Sequence, residues 1–204
     1  MDGTMWDAVD SYCKVWDATA AELGIERQPV RYEELVALMG KPLGEIYEPL
    51  MGVYCSDKAL FLERLSVNEE LLMPSLGGRL YPGVAEVTER LSKRYKLFML
   101  SNCNGSGLDN FLDFTGLRPY FTDAVTFGQT GVDKDVNLRR IQERYDLRRP
   151  VYVGDIQRDA DSTHAAGLEF VWAAYGFGTV SDAEFRINNF YELETKVLNN
   201  GNKI

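Results

Sequence analysis

The feature that most constrains this chain is the alternation that begins at Val84. Helical spacing from Val84 to Tyr95 gives way to the apolar run "KLFMLS". A helix near 106–115 then leads to strand "DAVTF", a helix over 136–146 to strand "VYVGD", and a helix over 157–166 to strand "LEFVWAA". Strands separated by helices of that length pair in parallel through helical crossovers, not as hairpins. Three of the runs are apolar on successive positions, as expected when both sheet faces are covered. The fold class is therefore α/β, and ligands are expected beyond the carboxyl ends of the strands.

The text ahead of this block is different. From Trp6 to about Gly24, Val9, Tyr12, Cys13, Trp16, Ala20 and Leu23 follow helical spacing, and more helices are predicted in "RYEELVALMG", "PLGEIYEPLMG" and "KALFLERLSVNEELL". Residues 7–76 thus read as all-helical, and the Pro and Gly residues of "PSLGGRLYPGV" mark a boundary. A chain of 204 residues suffices for one core with a smaller insert. Its net charge of -9, from 31 acidic and 22 basic residues, disfavours nucleic acid but not a small anion held by local groups. Cys13, Cys55 and Cys103 form no C-x-x-C pair and read as reduced thiols. No apolar run approaches the ~18 residues of a spanning helix. These features predict a soluble cytoplasmic protein without a membrane partner. The polar end "VLNNGNKI" is expected to fray, and nothing in the sequence speaks to oligomeric state.

Chemistry-bearing residues gather at the predicted strand ends. Ser101 and Asn102 follow one strand, with Gly105 and Gly107 just beyond. They can hold a phosphate oxygen, or form a helix cap with a Gly-rich turn. Lys134 stands at a helix start, where a cation is unfavourable unless an anion lies nearby, although Asp133 and Asp135 flank it and a solvated lysine is the alternative. After Gly154, the carboxylates Asp155, Asp159 and Asp161 share one turn with Arg158 as the nearby cation. Mg²⁺ would relieve their repulsion, and a helix N-terminus would also favour them. His164, the single histidine, reads as a packing or surface residue. The chain itself opens "MDGT".

In this order, "MDGT", "LSNCNGSG", "GQTGVDK" and "VGDIQRDADSTHAAG…AAYGFG" resemble the haloacid dehalogenase-like superfamily, most closely its small-molecule phosphatases of the phosphoglycolate phosphatase type. The resemblance covers nearly the whole chain. It implies a Rossmann-like three-layer core with a parallel sheet, formed by residues 1–6 and 77–204, and a helical cap formed by residues 7–76. It also implies Mg²⁺ as cofactor and a small phosphorylated metabolite as substrate. By the same resemblance Ser101 binds the transferring phosphoryl group, Asn102 and Thr4 support the loops, and Lys134 neutralises charge. Asp155 ligates the metal, Asp159 holds its waters, and the Asp2 carbonyl supplies another ligand. The Asp2 carboxyl protonates the leaving oxygen and then activates water. Lys41 in "MGKPLGE" belongs to a candidate specificity loop or to an ordinary helix connection, and Trp6 lines the entrance or anchors the hinge.

The family pattern is Asp-x-Asp-Gly-Thr, with the first Asp as nucleophile. Met1 stands at x. The expectation is that the start falls inside this motif, with the nucleophile and first central strand preceding Met1 and the chain as given inactive. The alternatives are a non-catalytic binding or regulatory module with an anion pocket, and a phosphosugar mutase of the same superfamily.

Overall fold

The computed structural model describes residues 1–103 and 106–198; Gly105 and the end of the polar tail lie outside the described residues. Helical spacing predicts that the first helix starts at Trp6, but Trp6–Asp7 form a short strand, β1, antiparallel to β2 (Arg79–Leu80). Asp7 accounts for the difference. Its Oδ1 accepts the Val9 N–H at 3.1 Å, and α1 (Val9–Glu22) begins there. Three further helices follow: α2 (Tyr32–Val36), α3 (Leu43–Met51) and α4 (Lys58–Leu76). Asp57 caps α4 by accepting the Leu60 N–H at 3.0 Å. Fully buried Phe61 of α4 ties α1 and α3 together, with its ring centroid 5.4 Å from those of both Trp16 and Tyr47. Helix α4 packs along α1 on one side and α6 (Gly107–Thr115) on the other.

The second half alternates as the sequence predicts: α5 (Val84–Ser92), β3 (Phe98–Ser101), α6, β4 (Asp123–Thr126), α7 (Phe127–Thr130), α8 (Lys134–Arg144), β5 (Val151–Gly154), α9 (Gln157–Ala165) and β6 (Glu169–Ala173). A last strand, β7 (Phe185–Ile187), follows. Strand β4 stops one residue short of the prediction because Thr126 turns to cap α7, its Oγ1 accepting the Gln129 N–H at 3.1 Å. Pairing is parallel, in two groups. Phe98 lies opposite Asp123 in β3–β4, while Val151 lies opposite Glu169 and Val171 opposite Phe185 in β5–β6–β7. Among the described residues β3 and β5 share no ladder. Across their edges the Tyr152 hydroxyl donates to the Leu100 carbonyl at 3.1 Å. The carboxyl ends of β3 and β5 stand beside the N-terminal segment, Thr4 bonding to Asp155 just past β5 and Asp2 lining one cavity with Ser101 of β3.

Candidate active site

A cavity of about 130 Å³ opens at those strand ends. The N-terminal segment brings Asp2 to it, the end of β3 brings Ser101 and Asn102, the start of α8 brings Lys134, and the β5–α9 turn brings Asp155 and Asp159. Four separate stretches thus converge. Drug-sized ligand pockets span roughly 300–1,000 Å³, so this one suits a small metabolite.

Asp155 is 3% exposed, and the surrounding loops are built around it. Its Oδ1 accepts the Thr4 hydroxyl at 2.8 Å, and its Oδ2 accepts the Phe177 N–H at 3.0 Å. Tyr175 in turn donates to the Thr4 carbonyl at 2.7 Å. The fit leaves no room for larger residues. A Cβ on Gly3, whose φ is 74°, would overlap Asp155 Oδ2, and one on Gly176 would meet both the Gly3 carbonyl and Asp155. Burial and the nearby Asp159 raise the Asp155 carboxyl above the usual range, against the two hydrogen bonds and the terminal ammonium.

Asp159 behaves oppositely. Burial works against its charge, but the ion pair with Lys134 holds the carboxyl below its ordinary value. Its Oδ2 also accepts the Asp155 N–H at 3.2 Å. The Lys134 ammonium is likewise buried, and despite desolvation Asp159 and the Tyr152 hydroxyl hold its pKa above the usual value; the Tyr152 ring lies 5.3 Å from it. Lys134 is therefore the cation of this turn. Arg158, the sequence candidate, instead reaches Glu45 at 3.8 Å, and Asp161 accepts from Gln157 in solvent. His164 lies half-buried between Asp182 and Glu184, apart from the cavity.

Burial pushes the Asp2 carboxyl up to about 6, with Asp155 adding to the rise and the terminal ammonium and the Trp6 indole opposing it. The Trp6 indole N–H donates to Asp2 Oδ1 at 2.9 Å, and the ring is fully buried edge-on against Phe111. Trp6 is thus a positioning residue for Asp2. The sequence flagged its place beside the motif without revealing the bond. Ser101 is buried, and its Oγ accepts the Cys103 N–H at 3.3 Å. Asn102 reaches across to the Gly40 carbonyl at 3.4 Å, which ties the strand end to the loop carrying Lys41. Glu69 of α4 and Tyr12 of α1 also line the cavity, and sequence reading singled out neither for a role in the site.

Among the described residues no three carboxylate, imidazole or thiolate ligands are grouped closely enough to hold a metal by themselves. The model of the haloacid dehalogenase-like hydrolases matches residues 1–173. The comparison with curated proteins finds no match. Among solved structures, one described as a predicted phosphoglycolate phosphatase from Haemophilus somnus 129PT superposes with a TM-score of 0.83 at 16% identity, covering 96% of this chain and 94% of that one. A predicted phosphatase from Clostridium acetobutylicum gives 0.81 at 18%, covering 98% and 95%. A hydrolase of the same superfamily from Geobacter sulfurreducens gives 0.72 at 20%, covering 97% and 93%. At such identities the likeness is one of fold.

Proposed function

Because this chain belongs to the haloacid dehalogenase-like hydrolase family, we propose that it is a phosphomonoesterase for a small phosphorylated metabolite, with α1–α4 (residues 7–76) as a cap over a core of residues 1–6 and 77–204. The observation that carries this reading is the convergence of Asp2, Ser101, Lys134, Asp155 and Asp159 on one small cavity. A phosphate ester needs donors for its oxygens, a cation for its charge and an acid for its leaving group. Each need has a candidate here.

In this proposal the first carboxylate of the family's Asp-x-Asp-Gly-Thr pattern attacks phosphorus, and the bond to the ester oxygen breaks. The Asp2 carboxyl, held near 6, delivers its proton to the departing alkoxide. As a carboxylate it then takes a proton from the water that cleaves the acyl phosphate, which releases orthophosphate and restores both groups. Trp6 keeps Asp2 in line through the indole bond. Ser101 donates to a phosphoryl oxygen with Asn102 beside it, Lys134 offsets the growing negative charge, and Thr4 fixes Asp155.

Mg²⁺ fits the donor set on the evidence of Asp155: a buried carboxyl, raised by burial and by Asp159, is relieved by a hard cation. Mg²⁺ takes one or two protein carboxylates and otherwise waters and phosphate oxygens, so no closed cage is required. Asp155 and Asp159 would hold it, with the Asp2 carbonyl as a further ligand. When bound it would supply charge stabilisation to the phosphoryl oxygens. Calorimetry with orthophosphate tests the phosphate half. We expect binding that depends on Mg²⁺ and weakens about tenfold or more in Ser101→Ala, the cost of one lost hydrogen bond to a charged ligand. Absence of phosphate binding with Mg²⁺ present would refute the reading.

A further inference from the structure

We infer that Glu69 and Tyr12 select a leaving group that carries hydrogen-bond donors, so the substrate is a phosphate ester of a polyol, sugar or amino alcohol and not one with a leaving-group carboxylate. The inference rests on the phosphomonoesterase reading and names the substrate class of the same site.

Glu69 projects from α4, and Tyr12 from α1, into the cavity that holds Asp2. The two side chains face each other and Asp2 closely enough that each carboxyl raises the Tyr12 hydroxyl's pKa, after burial itself. Neither the Glu69 carboxyl nor the Tyr12 hydroxyl has a hydrogen-bond partner among the described residues, while the neighbouring carboxylates Asp155 and Asp159 are fully engaged. The Glu69 carboxyl is half-buried and opens on the cavity, so its oxygens are available to a donor that a ligand supplies. Around these two groups the wall is apolar, formed by Trp16, Leu35, Met39 and Ile46. That surface suits a short carbon chain, not a second charged group.

Ser101 and Lys134 come from a strand end and a helix start of the second half, and Tyr12 and Glu69 from α1 and α4, so a phosphoryl group held by the first pair directs the ester's carbon end toward the second. A hydroxyl or ammonium there donates to Glu69 and accepts from or donates to Tyr12. A carboxylate there accepts from the Tyr12 hydroxyl but meets the Glu69 carboxyl beside Asp2, and pairs with it only while Glu69 holds its proton. The competing cation is Lys41, which also lines the cavity but is exposed at its rim.

The test is calorimetry on the chain with Mg²⁺ present and four ligands: orthophosphate, α-glycerophosphate, phosphoethanolamine and phosphoglycolate. The expected result is that α-glycerophosphate or phosphoethanolamine binds at least about tenfold more tightly than phosphoglycolate, and that Glu69→Ala reduces this ratio about tenfold. Which of the two esters wins distinguishes hydroxyl from ammonium. Glu69→Gln, close to isosteric, guards against misfolding and should bring phosphoglycolate closer to the other esters. Orthophosphate affinity reports on the phosphate half in every variant. If orthophosphate binds but phosphoglycolate is preferred, or if the ratio survives both Glu69 variants, this inference fails and the phosphatase reading stands. A phosphoglycolate preference abolished by Lys41→Ala would assign selection to the rim lysine instead. If orthophosphate itself does not bind, both readings fall.

Discussion

At the residue scale the site is governed by carboxyls whose charge is not fully compensated. Asp2 is held up at about 6 and Glu69 at about 7, in each case first by burial and then by carboxylate neighbours. A carboxyl whose folded pKa exceeds its unfolded value binds its proton more tightly in the native state, so native stability declines as pH rises through the interval between the two values. For these groups the decline runs from about pH 4 to about pH 7. Thermal denaturation should therefore give a higher Tm at about pH 5 than at about pH 8, and Asp2→Asn or Glu69→Gln should flatten the difference by stabilising the protein at the higher pH, by roughly 1–3 kcal/mol each. Asn at position 2 retains the acceptor for the Trp6 indole, so packing is preserved. A Tm that rises from the lower to the higher pH, or variants that leave the profile unchanged, would contradict these charge assignments. Ser101, Lys134, Asp155 and Asp159 were readable in the sequence because each directly follows an apolar run or opens a helix. Tyr12, Tyr175 and Glu69 were not readable as site groups, and Trp6 was readable as a neighbour of the motif but not as the donor to Asp2. Each sits on a helical or aromatic pattern that ordinary packing explains, and only the tertiary fold brings their polar ends together.

At the scale of elements the site depends on turns more than on strands. The Gly3 turn, the Gly154–Asp155 turn and the loop at Gly176 interlock so tightly that a methyl group at Gly3 or Gly176 collides with Asp155 or its surroundings. Gly3→Ala adds the cost of a positive φ, about 1 kcal/mol, to that collision. It should lower the urea midpoint and abolish Mg²⁺-dependent phosphate binding together. Unchanged binding would show that the turn does not set the position of Asp155. The long helices and β3, β5 and β6 followed from periodicity and apolar runs. Strands β1 and β2 did not, because two residues carry no period and their pairing joins positions more than 70 apart in sequence. The short helix α7 did leave a signal, the Thr126…Gln129 capping box, which reading "DAVTF" as one strand passed over.

For the whole molecule, a net charge of -9 repels an anionic substrate at long range. Salt screens such fields over about 8 Å, so capture falls to the local donors and to Lys134. The α/β class, the parallel pairing and the all-helical stretch ahead of it were all legible from alternation and composition. The division into a β3–β4 pair and a β5–β6–β7 group was not, since it reflects which edges meet and not any local pattern. Asp2, Ser101, Lys134, Asp155 and Asp159 converge at one cavity, and the catalytic proposal needs a carboxylate nucleophile there, the first Asp of the family's Asp-x-Asp-Gly-Thr pattern. The most direct measurement is orthophosphate release from a panel of small phosphate esters by the chain carrying an apolar strand that ends in aspartate directly before Met1, against the same chain with asparagine there. The account predicts release that requires Mg²⁺, stops on chelation and is lost with asparagine; equal release from the two chains, or none from either, would contradict it.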